Sequence, residues 1–278
     1  LIAIGQHHEL TILRPTTVGL FLGDESGEED ILLPNKYSPE EFDVGQKIKV
    51  FVYRDHEERK IATTLEPKIL LHQFGFLRVT SVTNVGAFMD WGLEKELMVP
   101  FREQRQKMEA GRWYIVYLDV DKKTDRLYAT NKIEKRLNND TVTVEEGEAV
   151  EVMIMKKTDL GFSVIVNQQH EGLIFESDIF TKLNIGEKLT GYVKQIREDN
   201  KIDITLQPIG FKNFNDPNCE AILNKLKMRK GFLPITDKSS PEEIYAQFNI
   251  SKKAYKKAIG TLYKQRKVTL QEDGIKLI

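Results

Sequence analysis

The 278-residue chain is poor in the features that mark export, membrane insertion or metal chemistry. It has a single cysteine, Cys219, so no internal disulfide can form and no thiolate cluster can hold zinc. Its five histidines, His7, His8, His56, His72 and His170, lack metal-ligand spacing, and the pair His7-His8 reads as a surface feature. No apolar run approaches the roughly eighteen residues a transmembrane helix needs. The first residues are neither basic nor followed by an apolar segment, so no secretory signal and a cytoplasmic location are expected. Also missing are a phosphate-binding GxxxxGK[ST] loop, an HExxH pair and a GxSxG elbow. Carboxylate pairs such as Asp24/Glu25 and Glu40/Glu41 fall in expected exposed turns. No catalytic residue, metal site or cofactor is therefore assigned, and the chain is not expected to be an enzyme.

What the chain does have is repetition. An apolar strand broken by a glycine and resumed by further apolar residues occurs at Val18-Gly19-Leu20-Phe21-Leu22, at Val85-Gly86-Ala87-Phe88-Met89 and at Leu160-Gly161-Phe162-Ser163-Val164. A second glycine follows 26, 25 and 25 residues on, at Gly45, Gly111 and Gly186. Fifteen residues later a basic residue, Lys60, Arg126 or Lys201, opens a short alternating strand. That register implies three diverged copies of a unit of about seventy residues.

Within the first copy the alternation predicts strands over 9–14, 17–22, 30–33, 47–53 and 60–65. Ser38-Pro39-Glu40-Glu41-Phe42 predicts a helical turn before the fourth strand. Five short strands and one such turn fit a small barrel of the oligonucleotide-binding type. Gly86 and Gly92 suit the sharp bends of such a barrel. Trp91 and Trp113 read as core residues, and Asn138-Asn139-Asp140 as a linker.

From Asp216 the rhythm becomes helical. Ala221, Ile222, Leu223 and Leu226 mark a first helix, and Phe232-Leu233-Pro234-Ile235 an extended run. Ser240-Pro241-Glu242-Glu243 is a helix start with a capping box, and that helix is expected to bury Ile244, Tyr245 and Phe248. Ser251 caps a third helix with apolar positions Tyr255, Ile259, Leu262 and Tyr263, and a hairpin signal follows at Glu272-Asp273-Gly274. Helix, strand, helix, helix, hairpin is the order of a winged helix. The expectation is a mainly β chain with a C-terminal α/β module. Three tandem five-stranded OB-fold barrels would span 1–67, 69–136 and 147–210, with a winged-helix domain over 216–278.

Charge is unevenly spread. Residues 1–216 sum to −8 and residues 217–278 to +7, and the middle copy, at +3 over 69–136, is the one net-positive barrel. A near-neutral total therefore limits where a polyanion would sit without excluding one. The third helix carries Lys252, Lys253, Lys256 and Lys257, and Lys264, Arg266 and Lys267 extend the basic run with no intervening acid.

The three copies resemble the RNA-binding domain of ribosomal protein S-one. Gly86-Ala87-Phe88-Met89 with Asp121 and Arg126-Leu127 carries the likeness best, and Gly172-Leu173-Ile174-Phe175 carries it in the third copy. With the winged helix, the whole chain looks like the conserved virulence factor B family of bacteria. In the S-one family the binding face holds the second-strand aromatic, a third-strand histidine, and the Asp and Arg flanking the last turn. Carried over, this implies Phe21, Pro34, Asp55 and Lys60 in copy one, then Phe88, Pro100, Asp121 and Arg126 in copy two. Copy three gives Ser163, Phe175, Arg197 and Lys201. Prolines replace the histidine twice and Ser163 replaces an aromatic, so each barrel alone should bind weakly.

Aromatics stack on unpaired bases and Lys or Arg neutralises phosphates, so the expected ligand is single-stranded RNA. The resemblance implies post-transcriptional regulation, including virulence genes. The winged helix and the third barrel, adjacent in sequence, would share one strand path. Two other readings remain. One is a DNA-binding transcription regulator led by the winged helix. The other is a scaffold whose acidic barrels bind a basic protein.

Overall fold

The computed structural model describes residues 2–24, 26–179, 181–208, 217–264 and 266–278. The expected end of the third copy at Ile209-Gly210, the boundary at Asp216, and Glu25 of the acidic turn fall outside them. The first copy is built from β1 (Gln6–Pro15), β2 (Gly19–Gly23), β3 (Asp30–Pro34), β4 (Lys47–Arg54) and β5 (Lys60–Thr63). The second uses β6 (Phe74–Val82), β7 (Gly86–Asp90), β8 (Leu97–Pro100), β9 (Trp113–Asp121) and β10 (Arg126–Thr130). The third uses β11 (Ala149–Thr158), β12 (Gly161–Val166), β13 (His170–Phe175), β14 (Lys188–Ile196) and β15 (Ile202–Thr205).

The first and third copies are closed barrels, ordered β1-β2-β3-β5-β4 and β11-β12-β13-β15-β14. The second has the same order but remains a sheet, β10-β9-β6-β7-β8, with β8 and β10 side by side and no ladder between them. The closing seam weakens with the third strand of each copy. β13 is six residues long and pairs with β15 at three positions. β3 is five residues long, ends on Pro34 and pairs with β5 at one position. β8 is four residues long and ends on Pro100. Proline has no N–H to give the ladder, and a shorter strand has fewer donors.

The glycines that revealed the repeat are demanded by close approach. A Cβ on Gly19, Gly86 or Gly161 would lie 2.1, 2.4 or 2.0 Å from the carbonyl oxygen of Leu33, Val99 or Ile174. No side chain fits there, so the second strand of each copy must begin with glycine. A bulge interrupts the first strand of each copy at the same place, between Ile12 and Arg14, Val79 and Ser81, and Ile154 and Lys156. Such bulges increase strand twist and help a small sheet curl.

The helical turn expected at Ser38–Phe42 is not there. A 3-10 turn occupies Asn35–Tyr37, directly after β3, and its counterparts are Phe101–Glu103 and Glu176–Asp178. Ser38 does not cap forward; its hydroxyl donates back to the Pro34 carbonyl at 3.2 Å.

Residues Leu1–Leu206 form one compact unit and Gln207–Ile278 a second. The first unit is welded by apolar clusters that bridge its copies. Phe51 and Tyr53 of β4 pack edge-on against Trp91, with ring centroids 5.8 and 6.4 Å apart. Phe74 and Ile115 of the second copy join Met153, Met155 and Ile165 of the third. Each such fully buried side chain contributes about 1.5–3 kcal/mol. Asn138-Asn139-Asp140 is pinned rather than loose, because the Asn139 amide donates to the carbonyls of Glu171 and Asn200.

The second unit is α1 (Pro217–Met228), β16 (Phe232–Leu233), α2 (Pro241–Phe248), α3 (Lys252–Lys264), β17 (Val268–Leu270) and β18 (Ile275–Leu277). Its sheet is ordered β16-β18-β17. Ser240 and Glu243 form the expected capping box, and the Ser251 hydroxyl caps α3 through the Ala254 N–H at 3.2 Å. Ile222, Leu226, Ile244, Tyr255, Ile259 and Leu262 share one core. Tyr245 and Tyr263, expected inside, are 61% and 54% exposed. The apolar stripes of these short helices are narrow, and Ile244, Ile259 and Leu262 fill the inward positions. No helix among the described residues is long and apolar enough to cross a membrane.

Candidate nucleic-acid interface

Strand alternation sets the outward face of each copy. In β7, Ala87 and Met89 are buried while Phe88 between them is half-buried and faces out. It lies opposite Met98 of β8. Phe88, Pro100, Asp121 and Arg126, all expected on the binding face, line one groove of about 610 Å³ together with Arg102 and Tyr128. The second copy therefore assembles its whole expected set. Asp121 holds the turn after β9 by accepting the N–H groups of Lys123 and Thr124 at 2.9 and 3.2 Å. Those bonds keep its carboxyl below the usual aspartate range.

The same groove is partly neutralised from the first copy. Glu58 accepts from Arg126 Nε at 3.1 Å and from Lys95 Nζ at 3.0 Å. Burial acts to raise the Glu58 pKa, but Lys95 and Arg126 outweigh it and hold the carboxyl below the ordinary glutamate value.

In the first copy the expected residues are already engaged. The Arg14 guanidinium sits over the Phe21 ring at 4.4 Å and is itself held by Asp30 at 2.6 Å. Lys60 donates to Glu29 at 2.7 Å and to the Ile2 carbonyl at 2.9 Å. Asp55 accepts both the backbone and the guanidinium of Arg59. Few groups on this face are free to meet a ligand.

The third copy gathers Ser163, Arg197 and Lys201 around a groove of about 680 Å³, with Lys156, Leu173 and Asp203. The Arg197 guanidinium lies 5.5 Å from the centre of the Phe175 ring and donates to Asp203 at 3.1 Å. Phe175 is half-buried under this cation. Ser163 is buried and donates to Glu171 at 2.6 Å. Lys201 is exposed and pairs with Asp199 at 2.6 Å.

On α3 the lysines occupy the face opposite Tyr255, Ala258, Ile259 and Leu262. Lys252 donates to the Lys238 carbonyl at 3.3 Å, and Lys256 lies 3.7 Å from Asp237. Lys253, Lys257 and Lys264 are exposed and have no acid partner among the described residues. Arg266, in a left-handed conformation at φ +53°, is exposed, and Lys267 is half-buried at the start of the hairpin.

Reading the residues alone missed three members of the surface. Arg102 follows Pro100 in the 3-10 turn, and Lys156 follows the β11 bulge. Trp113, expected in the core, is 51% exposed. Parity along β9 reveals it: Tyr114 and Val116 face inward, so Trp113 faces outward.

Comparison with known proteins decides the family. The CvfB-like winged helix domain matches residues 220–277, and the S1 domain matches residues 4–65. The Bacillus subtilis protein YitL is 32% identical, over 97% of this chain and 92% of its own length. Conserved virulence factor B of Staphylococcus aureus is 26% identical, over 86% of this chain and 81% of that protein. The chain belongs to the conserved virulence factor B family. A crystal structure of a multidomain protein with nucleic acid binding domains from Streptococcus pneumoniae is 26% identical, covering 99% of this chain and 98% of that one, with a TM-score of 0.41. This chain combines an S1-type module with a winged-helix module, and domains of these two kinds point to nucleic-acid binding.

Proposed function

We propose that this family member binds single-stranded RNA in the cytoplasm and regulates gene expression after transcription, including virulence genes, by occupying its target rather than by chemistry. The observation that carries this reading is the shared groove of the second copy. Phe88 offers a face for a base, and Arg102 and Arg126, which lie 3.6 and 3.1 Å from Asp121 and Glu58, would exchange those acids for phosphates. Each stacked base contributes about 1–3 kcal/mol, and bases are free to stack only in unpaired strands. The exposed lysines of α3 add an electrostatic surface that reads no sequence. From Lys252 to Tyr263 there is no Arg, Asn or Gln, the residues that read base edges in a duplex groove, which weighs against duplex DNA as the specific ligand. Modest modules on one chain gain from effective concentration. A gel-shift competition tests the reading: unlabelled single-stranded RNA should displace a labelled RNA at lower concentration than duplex DNA of equal length. The reverse order would favour a DNA-binding regulator. Capture of a basic protein that survives nuclease treatment, without RNA binding, would favour a scaffold.

A further inference from the structure

Trp113 breaks the burial pattern of the second copy. It opens β9, on the outward side with Ile115 and Tyr117. Ile115 is covered by Met153 and Met155 of the third copy, but the indole of Trp113 is left 51% exposed. It is not loose. Its ring lies stacked on Phe76, with centroids 5.3 Å apart and planes 29° from parallel. Phe76 is fixed in turn by the third copy: a Cβ on Gly186, which has φ +82°, would stand 2.1 Å from its ring. A large aromatic is thus held rigidly at the surface. Such an aromatic loses little side-chain freedom when a flat ligand stacks on it.

The surroundings select a polyanion. Arg105, Arg112 and Lys156 line the same groove of about 450 Å³, and Glu134 is the one acid in that lining. Glu134 pairs with Arg105, and Arg112 pairs with Glu109 at 3.0 Å. Lys156 is exposed and has no acid partner among the described residues. Lys156 and Glu134 also line the groove of the third copy that holds Arg197 and Lys201. The two grooves are therefore neighbours across one unpaired lysine, and the Phe88 groove is separate from both.

We propose that Trp113 stacks one unpaired base of a strand that leaves the third copy's groove past Lys156, so that the binding surface extends onto the outer wall of the second copy. This rests on the single-strand reading above and adds a subsite to it. Lys156 would neutralise the phosphate beside the stacked base. The partner is a nucleic acid rather than an apolar peptide because three cations, one of them the unpaired Lys156, line the groove with the indole against one acid.

The chain carries its own probe. Trp91 is 3% exposed and Trp113 is half in water, so a stacking ligand quenches one of two indoles. The intact chain is titrated with a twelve-nucleotide oligouridylate at low salt while tryptophan emission is followed. The subsite predicts saturable quenching that disappears in W113F. It predicts affinity about fivefold or more weaker in W113A, the lower end of what one stacked base supplies, with partial recovery in W113F. K156A should weaken binding and flatten its salt dependence. Thermal melts establish that each variant folds, and K156A with W113F carries the test if W113A does not. Oligouridylate binding with no change in emission, and with K156A and W113F equal to wild type, would overturn the subsite and leave the single-strand reading standing. Quenching that persists in W113F would place the signal on Trp91 and also overturn it. Failure of the intact chain to bind the oligonucleotide would reject both.

Discussion

Glu58 of the first copy and Arg126 of the second are joined by a 3.1 Å hydrogen bond across the junction of the two copies. The cation that the S1-type resemblance assigns to RNA is therefore held, before any ligand arrives, by an acid from its neighbour. Lys95 shares the same carboxylate at 3.0 Å. Replacing Glu58 by Gln should remove the charge that neutralises both cations, freeing Arg126 while Lys95 keeps its bond to the Asp55 carbonyl at 2.7 Å. We expect E58Q to bind single-stranded RNA severalfold more tightly, with a salt slope steeper by about 0.7 for each phosphate newly neutralised. Its stability in urea should fall by less than about 1 kcal/mol, as for other partly exposed pairs. Equal or weaker RNA binding by a folded E58Q would show that the pair has no bearing on the ligand.

The same pair has an acid signature. The folded-state pKa of Glu58 lies below its ordinary value of 4.5. A depressed carboxyl contributes stability above its unfolded pKa and loses it as pH falls through the folded value. Wild type should therefore lose stability below about pH 4.5 more steeply than E58Q. Denaturant melts across the acid range check this, and superimposable pH profiles would contradict it.

The repeat glycines make a sharper prediction. G161A would put a Cβ 2.0 Å from the Ile174 carbonyl oxygen at a residue with φ +148°. Strain and displacement of β13 should cost about 3 kcal/mol, read by urea denaturation. G45A, with open space around the added Cβ and φ +92°, should cost less, about 1 kcal/mol. Similar costs at the two sites would contradict the close-approach argument.

The fold was largely legible because these glycines are forced. Gly19, Gly86 and Gly161 abut a carbonyl in every copy, so their spacing survived when most side chains diverged. The winged helix was legible through Ser240 and Glu243, whose capping is local in sequence. What could not be read depends on partners distant in the chain. Lys60 meets Glu29 and Arg126 meets Glu58, and no spacing rule reveals such pairs. The exposure of Trp113 is not legible from its residue type, because strand parity and the docking of the third copy decide it. The gap beside β8 follows from strand length and Pro100, which alternation alone does not expose.

The lysines of α3 should not contribute equally. Lys253 and Lys257 are exposed without acid partners among the described residues, whereas Lys252 and Lys256 lie near the Lys238 carbonyl and Asp237. The double variant K253A/K257A should weaken RNA binding more than K252A/K256A. Its salt slope should fall by about 0.7 for each phosphate no longer neutralised. Parallel binding isotherms at two salt concentrations check this, and unchanged affinity in K253A/K257A would remove α3 from the interface.

The most direct measurement is a titration of the intact chain with an unstructured single-stranded RNA and with duplex DNA of equal length, each at several salt concentrations. Binding through stacking aromatics and phosphate-neutralising cations predicts tighter association with the single strand, and affinity that falls linearly on a logarithmic salt scale. Preference for the duplex, or affinity for the single strand that salt leaves unchanged, would contradict it.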